Sequence, residues 1–376
     1  MQLSVIILNY NVRYFLELCV LSVQKAIQNV DAEIIVVDNN SSDESCAMMS
    51  RCFPNVKLIQ NTANLGFPKG NNIGVAQAKG EYICILNPDT VVAEDTFEKV
   101  LAFAKSKIDL GIVGCQLIDG TGNFLPESKR GVPTPWVAFT KIFGLYKISK
   151  SFGKYYAEHL TQNQTGKVDI LVGAFMVMKR ELYTEIGGFD EKCFMYSDDI
   201  DLSYMVLQRG KGNYYFHETT IIHYKGESTV RDGTYMKRFQ EAMNFFYKKH
   251  FNPSFFFTVF MKIGSFMFSL VKKSQQKNKT ISIDETILFS KEITELSDFM
   301  GVKHYFDLNE FKLSSTNSYQ LVFDLNSYSF VEIIDAMQRL KAKNIVFKMY
   351  LSKNNYLIGS NNANDIGEII NLSKIA

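Results

Sequence analysis

Short apolar runs alternate with helix-like stretches through about the first 120 residues, and this alternation limits the fold more than any other feature of the chain. The runs are Ser4–Leu8, Glu33–Val37, Val56–Ile59, Glu81–Leu86 and Ile112–Leu117. Between them, Leu16–Ile27 and Phe97–Lys105 carry apolar residues at helical spacing. Strand–helix alternation of this kind implies a parallel sheet with helices on both faces. Ligands of such sheets bind beyond the carboxyl ends of the strands. The residues just after each run are therefore the candidates for chemistry.

The chain of 376 residues is long enough for two or three domains. Its hydrophobic fraction of 46% and charged fraction of 21% are those of a globular protein with a real core. A net charge of +2 gives no global attraction to nucleic acid, so electrostatic partners must be read from local clusters. Six cysteines show neither CxxC pairing nor zinc spacing and predict free thiols in a reducing compartment. Met1–Leu8 has no basic segment and no small-residue cleavage site, so it reads as a buried first strand rather than a signal peptide. A cytoplasmic location is expected.

Downstream, Asp169–Met178 is a long apolar run, followed by the turn Gly187-Gly188 and the acidic stretch Ser197–Asp201. Two further strand-like runs, Asn213–Phe216 and Thr220–Tyr224, precede an amphipathic helix over Tyr235–His250 that carries Met236, Phe239, Met243 and Phe246 on one face. Phe255–Val271 is the most apolar stretch of the chain, but it falls short of a bilayer span and contains Lys262. It predicts a buried helix or one lying on a membrane surface. Lys272–Thr280 reads as a linker, and beyond it strand-like runs (Gln320–Phe323, Asn344–Tyr350) flank a helix over Phe330–Lys341. The expected division is a catalytic domain over 1–250, a hydrophobic and basic helix with linker over 251–279, and a small α/β accessory domain over 280–376.

Five groups of residues, most of them at strand ends, carry candidate chemistry. Ile34–Val37 ends at Asp38, whose carboxylate can accept a hydrogen bond from a base or ribose, although Asp38-Asn39-Asn40-Ser41 equally suits a turn or cap. Ile83–Leu86 ends at Asn87-Pro88-Asp89, where proline fixes the backbone and leaves Asp89 at the same sheet edge. A carboxylate there can anchor Mg²⁺ or Mn²⁺ when a diphosphate supplies the other oxygens; Pro-Asp-Thr is also an ordinary turn. Between these lies Asn64–Gly74, in which three glycines and three asparagines interleave before a short helix. Glycines permit close backbone approach to a ligand and amides can hydrogen-bond sugar or phosphate, but the spacing is neither that of a P-loop nor of a dinucleotide fold. Asp198-Asp199-Ile200-Asp201 places carboxylates side by side, which raises a pKa toward base duty; it also reads as a solvated first helical turn. His223 ends a strand-like run that shares its parity with His217, and a lone strand histidine is commonly structural.

The ordered series resembles family 2 glycosyltransferases of the GT-A fold, in the branch containing bacterial rhamnosyltransferases. The resemblance covers about Leu3–His250. It rests on Val5–Asn11, Ile35–Asn39, Asn64–Gly74, Leu86–Asp89, Gly173–Phe175, Gly187–Asp190, Asp198–Leu202 and His223 with Lys225–Ser228. The implied fold class is α/β, a Rossmann-like mixed sheet flanked by helices, with C-terminal helices and a small extra α/β domain. By the resemblance, Asn9 and Tyr10 line a nucleobase pocket, Asp38 pairs with base or ribose, and Asn64, Gly66, Lys69 and Asn71 face the nucleotide sugar. Asp89 takes the place of the last acid of the family's DxD metal motif, Asp199 that of the general base, and His223 that of a further metal or diphosphate contact. Gly173 and Asp198 lie on the acceptor side. Two residues depart from the family pattern: Asn87 replaces the first acid of DxD, and Asn71 stands where many members have an arginine, with Lys69 near enough to supply the charge.

The resemblance implies an inverting transferase that uses a divalent metal (Mg or Mn) to move a hexose or a deoxyhexose such as rhamnose from a nucleotide-diphosphate donor. The acceptor would be a saccharide or lipid-linked saccharide in cell-surface polysaccharide assembly. The basic, Phe-rich segment Lys237–Lys279 would touch the inner face of the cell membrane, and no nucleic acid is expected. Two rivals remain. A nucleotidyltransferase would show a Gly-rich basic loop near the N-terminus, which Leu8–Arg13 is not. A nucleotide-sugar or carbohydrate-binding module would have no need of Asp199.

Overall fold

The structure, a computed structural model, describes residues 1–134, 137, 154–225, 233–251, 282–298, 301–314, 317–361 and 367–372. The apolar stretch 255–271, the linker 272–280 and residues 226–228 lie outside the described residues, as do the side chains of Met236 and Phe239.

Among the described residues the first sheet is built from β1 (Leu3–Asn9), β2 (Ala32–Asp38), β3 (Lys57–Gln60), β4 (Tyr82–Leu86), β5 (Thr90–Val91), β6 (Leu110–Ile118), β7 (Gly166–Val168), β8 (Phe175–Lys179) and β9 (Gly212–His223). Its helices are α1 (Arg13–Ala26), α2 (Ser45–Cys52), α3 (Phe67–Ala76), α4 (Thr96–Lys105), α5 (Arg180–Glu185), α6 (Asp198–Gln208) and α7 (Gly233–His250). The strand order is β3-β2-β1-β4-β8-β6-β9-β5, with β7 paired to β9. The α/β class with a mixed sheet between helices is the expected one.

β1 to β4 are mutually parallel, so the carboxyl ends of β1, β2 and β4 share one edge. Adjacent residues of β1 feed opposite layers because strand side chains alternate. Val5 and Ile7 pack with Leu16, Val20 and Val23 of α1 and Val100 of α4. Ile6 and Leu8 pack with Val75 of α3 and Leu202 and Val206 of α6. Both layers are closed to water, which is why these strands read as unbroken apolar runs.

The departure from a parallel sheet comes at β8, which lies antiparallel between β4 and β6. The continuous run Asp169–Met178 hid a bend. Ile170 bridges Arg130, residues 171–174 turn, and only Phe175–Lys179 pairs with β4. The two runs expected over 213–224 form the single strand β9, with a register shift opposite Cys115 and Gln116.

A second sheet, in the order β11-β10-β12-β13-β14-β15, comprises β10 (Glu285–Phe289), β11 (Val302–Tyr305), β12 (Tyr319–Asp324), β13 (Ile345–Leu351), β14 (Tyr356–Ser360) and β15 (Glu368–Asn371), with α8 (Phe330–Leu340) against it. Its first four strands are parallel and its last two antiparallel. Ser329 and Glu332 form a reciprocal capping box at the start of α8. One apolar cluster joins the two sheets: Val12 at the N-cap of α1 and Phe15 and Leu18 within it, with Val91, Ile222 and Tyr224, pack against Ile287, Phe289, Phe323, Phe330 and Ile333. No described helix is long and apolar enough to cross a membrane, and all six cysteines are free.

Candidate active site

The register Asn9↔Asp38 sets these two residues side by side at the carboxyl edge. Asn9 Nδ2 donates to Asp38 Oδ1 at 2.7 Å and to Ser41 Oγ at 3.0 Å, and the Ser41 amide donates to Asp38 Oδ2 at 2.8 Å. The Asx-type bond to Ser41 is the turn role open to Asp38 from sequence. Asp38 does not cap α2, whose N-cap position is Glu44. The Asp38 carboxylate is thus immobilised through both oxygens at 2% exposure, while Tyr10 beside it is half-buried.

Asn39 carries the edge onward. It donates to the Gly66 carbonyl at 3.1 Å and accepts from Asn61 at 2.8 Å. Asn64 Oδ1 in turn accepts from the Gly66 amide at 3.0 Å. Gly66 has φ of +82°, and a Cβ there would lie 2.8 Å from the Phe194 carbonyl oxygen, so glycine is required on both counts. Gly70 and Gly74 serve packing instead: a Cβ would lie 2.4 Å from Leu8 Cδ1 or 2.6 Å from Ile6 Cγ2, so they let α3 sit close on β1. Asn71 is fully buried and donates to the Phe67 carbonyl at 3.0 Å, whereas Lys69 is exposed.

Beyond β4, the Asn87 amide donates to the carbonyl of Ala174, the residue before β8, at 3.0 Å. The pairing Thr90↔His223 then brings β9 alongside. Asp89 Oδ1 lies 3.4 Å from His223 Nε2, and Asn87 Nδ2 lies 3.4 Å from the same nitrogen. Asp89 is 4% and His223 7% exposed. Among the described residues no three acidic, histidine or cysteine side chains converge. This pair therefore offers one carboxylate oxygen and one imidazole, a donor set for a divalent cation whose other ligands come from a diphosphate. His217 faces elsewhere, with Thr165 Oγ1 at 2.8 Å from its Nδ1.

The third group sits at the start of α6. Asp199 Oδ2 accepts from Arg130 Nη2 at 2.6 Å and from the Gly173 amide at 3.1 Å. Arg130 is itself fixed by donating to the Leu171 carbonyl at 2.9 Å. One Asp199 oxygen is clamped in this way, and Oδ1 accepts no hydrogen bond among the described residues. A Cβ on Gly173 would lie 3.3 Å from Asp199 Cβ and 3.7 Å from Asp198 Oδ2 and from the ring of Phe67. Gly173 thus joins the carboxylate pair to the Asn64–Gly74 loop. Arg130 was not singled out from sequence, because nothing local in Ser128-Lys129-Arg130-Gly131 points to Leu171 or Asp199. The structure buries it.

Among the described residues, several buried polar side-chain atoms without a partner lie on these groups, namely Asn9 Oδ1, Asn71 Oδ1, Asn87 Oδ1 and His223 Nδ1, while others, Asn355 Oδ1 among them, lie elsewhere. Such orphans are rare in folded proteins and are places where a ligand, an ion or water can complete the hydrogen bonding.

Asp198 is pushed up to about 7, first by burial and then by the Asp199 charge. With its folded pKa above the ordinary 3.8, the folded state binds the extra proton between about pH 4 and 7, so stability falls as pH rises through that window. Asp198→Asn removes the titration. In thermal melts from about pH 5 to 8 its Tm is expected to decline less than that of the wild-type chain. Parallel Tm profiles would exclude this origin.

The glycosyl transferase family 2 model matches residues 4–187, a stretch that contains the Asp38, Asn64–Gly74 and Asp89 groups and ends before α6. The N-acetylglucosaminyl-diphospho-decaprenol L-rhamnosyltransferase of Mycobacterium tuberculosis is 25% identical over 210 residues, 53% of this chain and 68% of that protein. The rhamnosyltransferase WbbL of Escherichia coli is 27% identical over 218 residues, 54% of this chain and 78% of that protein. Among solved structures, a mannosyltransferase from Pyrobaculum calidifontis in complex with GDP-Man and Mn2+ covers 73% of this chain and 76% of its own, at 16% identity and a TM-score of 0.49.

Proposed function

The chain belongs, through residues 4–187, to glycosyl transferase family 2, and on that premise we propose that it transfers a hexosyl or deoxyhexosyl group, such as rhamnose, with inversion from a nucleoside-diphosphate donor to a saccharide hydroxyl. The observation that carries this reading is the set of unpartnered buried polar atoms on Asn9, Asn71, Asn87 and His223, together with the clamped Asp199 carboxylate. In this reading residues 1–250 hold the chemistry and 280–376 form an accessory unit.

The roles follow from what each side chain has left to offer. Asn9 Oδ1 is a buried acceptor suited to a base N–H, Tyr10 lines the base, and Asp38 receives a base or ribose donor in a fixed orientation. Asn64, Gly66, Lys69, Asn71 and Asn87 face the diphosphate and sugar. A divalent cation would be held by Asp89 and His223, and when bound it supplies positive charge to the departing diphosphate. Asp199 Oδ1 takes the proton of the acceptor hydroxyl. The acceptor oxygen bonds to the anomeric carbon as the bond to the diphosphate oxygen breaks, and the nucleoside diphosphate leaves. Gly173 and Asp198 leave room for the acceptor beside that oxygen. The acceptor is a saccharide carried on a lipid at the inner face of the membrane; the mycobacterial relative, named for a diphospho-decaprenol-linked sugar, supports the lipid-linked acceptor, and the exposed Lys237 and Arg238 of α7 support the membrane contact.

A thermal-shift panel of nucleoside-diphosphate sugars with and without Mn²⁺ tests the reading. A cognate donor at about a hundredfold over its Kd adds about 2.7 kcal/mol of stability, with the larger shift expected when Mn²⁺ is present. A panel spanning uridine, thymidine and guanosine donors that moves Tm in neither condition rules the donor site out.

A further inference from the structure

Residues of β9 next to one another serve opposite sides of the sheet. His223 faces Asp89, while its neighbours Ile222 and Tyr224 enter the apolar cluster shared with the second sheet. Val91, two residues beyond Asp89, enters the same cluster. The Tyr224 amide donates to the Asp89 carbonyl at 3.0 Å, and the Tyr224 ring packs on Phe15 of α1 at 5.0 Å between centroids. A Cβ on Gly120 would lie 2.7 Å from Ser360 Cβ and 2.8 Å from Tyr224 Cδ1, so the second sheet abuts Tyr224 with no room to spare.

Polar contacts fasten the same interface. The Glu94 carboxylate accepts from the Phe330 and Val331 amides at 2.8 and 3.0 Å, filling the positive N-terminus of α8 with an anion from the other unit. Glu17 of α1 is 3% exposed and is pushed up by burial, yet it accepts from the Tyr356 hydroxyl at 3.2 Å and from Asn354. Lys25 donates to the Leu325 carbonyl at 3.2 Å. Glu17 and Lys25 lie on the helix that begins at Arg13, just after Asn9 and Tyr10.

We propose that residues 282–372 are a positioning element of the donor site, holding α1 and the β5–β9 pair so that Asn9, Asp89 and His223 keep their mutual placement. The inference rests on reading that edge as the donor site. A unit that only added stability would leave donor affinity unchanged. One that positions the site must be coupled to it, and binding at either place must then tighten the other.

Native-state hydrogen exchange on the intact chain reads the coupling directly. Uridine or thymidine diphosphate with Mn²⁺ is expected to slow exchange at the Phe330 and Val331 amides, which are bonded to Glu94 and not to the nucleotide. Glu94→Ala, checked as folded by its circular dichroism, is expected to weaken Mn²⁺-dependent nucleoside diphosphate binding by about two- to thirtyfold without changing acceptor KM. A wild-type chain that binds the nucleotide while these amides exchange at an unchanged rate, or a folded Glu94→Ala variant of lower Tm but unaltered nucleotide affinity, overturns the positioning role. A wild-type chain that binds neither diphosphate removes the donor-site reading and the inference with it.

Discussion

Asp199→Asn is expected to lower turnover by about two to four orders of magnitude while nucleoside diphosphate binding stays within about twofold of wild type. The asymmetry follows from how the side chain is held. Arg130 and the Gly173 amide engage Oδ2, and Oδ1 is left to receive a proton. An amide in the same place keeps the size and one acceptor oxygen, but it cannot take up a proton at working pH. It also puts an NH₂ or a neutral oxygen against the Arg130 guanidinium, so the buried cation loses its counter-charge. Melting the variant alongside the wild type separates a fold defect from a chemical one. Transfer to an acceptor, and donor hydrolysis with no acceptor present, are the two rates to measure. Turnover retained at more than about a tenth of wild type would exclude Asp199 as the base.

Asp89→Ala is expected to remove the Mn²⁺-dependent part of donor binding, a loss of about a hundredfold or more in apparent affinity at saturating metal. Asp89 is the only carboxylate of the Asn87-Pro88-Asp89 turn, and its partner across the strand pair, His223, is one imidazole. Two protein ligands leave little to share the deficit when one is deleted. His223→Ala should weaken the same titration less, because a neutral imidazole contributes no charge against a dication. The measurement is calorimetric titration of nucleoside diphosphate with and without Mn²⁺. An Asp89→Ala chain with an undiminished metal effect would place the ion elsewhere.

Much of the first sheet was legible because its strands are buried on both faces and end abruptly in polar residues. Asp38 and Asp89 could be placed at one edge from that pattern, Asn9 joined them through the family resemblance, and the register sets the strands that end there side by side. What escaped were the non-local choices. An unbroken apolar run gives no sign of a bend, so Asp169–Met178 concealed the turn at Gly173 and the antiparallel insertion of β8. Arg130 escaped notice because its partners, Leu171 and Asp199, lie 41 and 69 positions away in sequence. The glycines of Asn64–Gly74 were read for ligand approach. Two of them admit Leu8 and Ile6 instead. Glu17 and Glu94 resemble ordinary surface acids until the second sheet arrives to cover them.

That covering has a consequence for solubility. Val12, Phe15 and Leu18 make α1 apolar on its outward side as well as toward the first sheet, and Val91, Ile222 and Tyr224 extend the same greasy strip. A polypeptide stopped at residue 250 would lay this strip open to water as one contiguous patch, the kind of surface that drives self-association. The stretch recognised as belonging to the family is therefore a poor guide to where this protein can be cut. Its second sheet is the lid on a hydrophobic face, and shortening the chain would open that face to self-association.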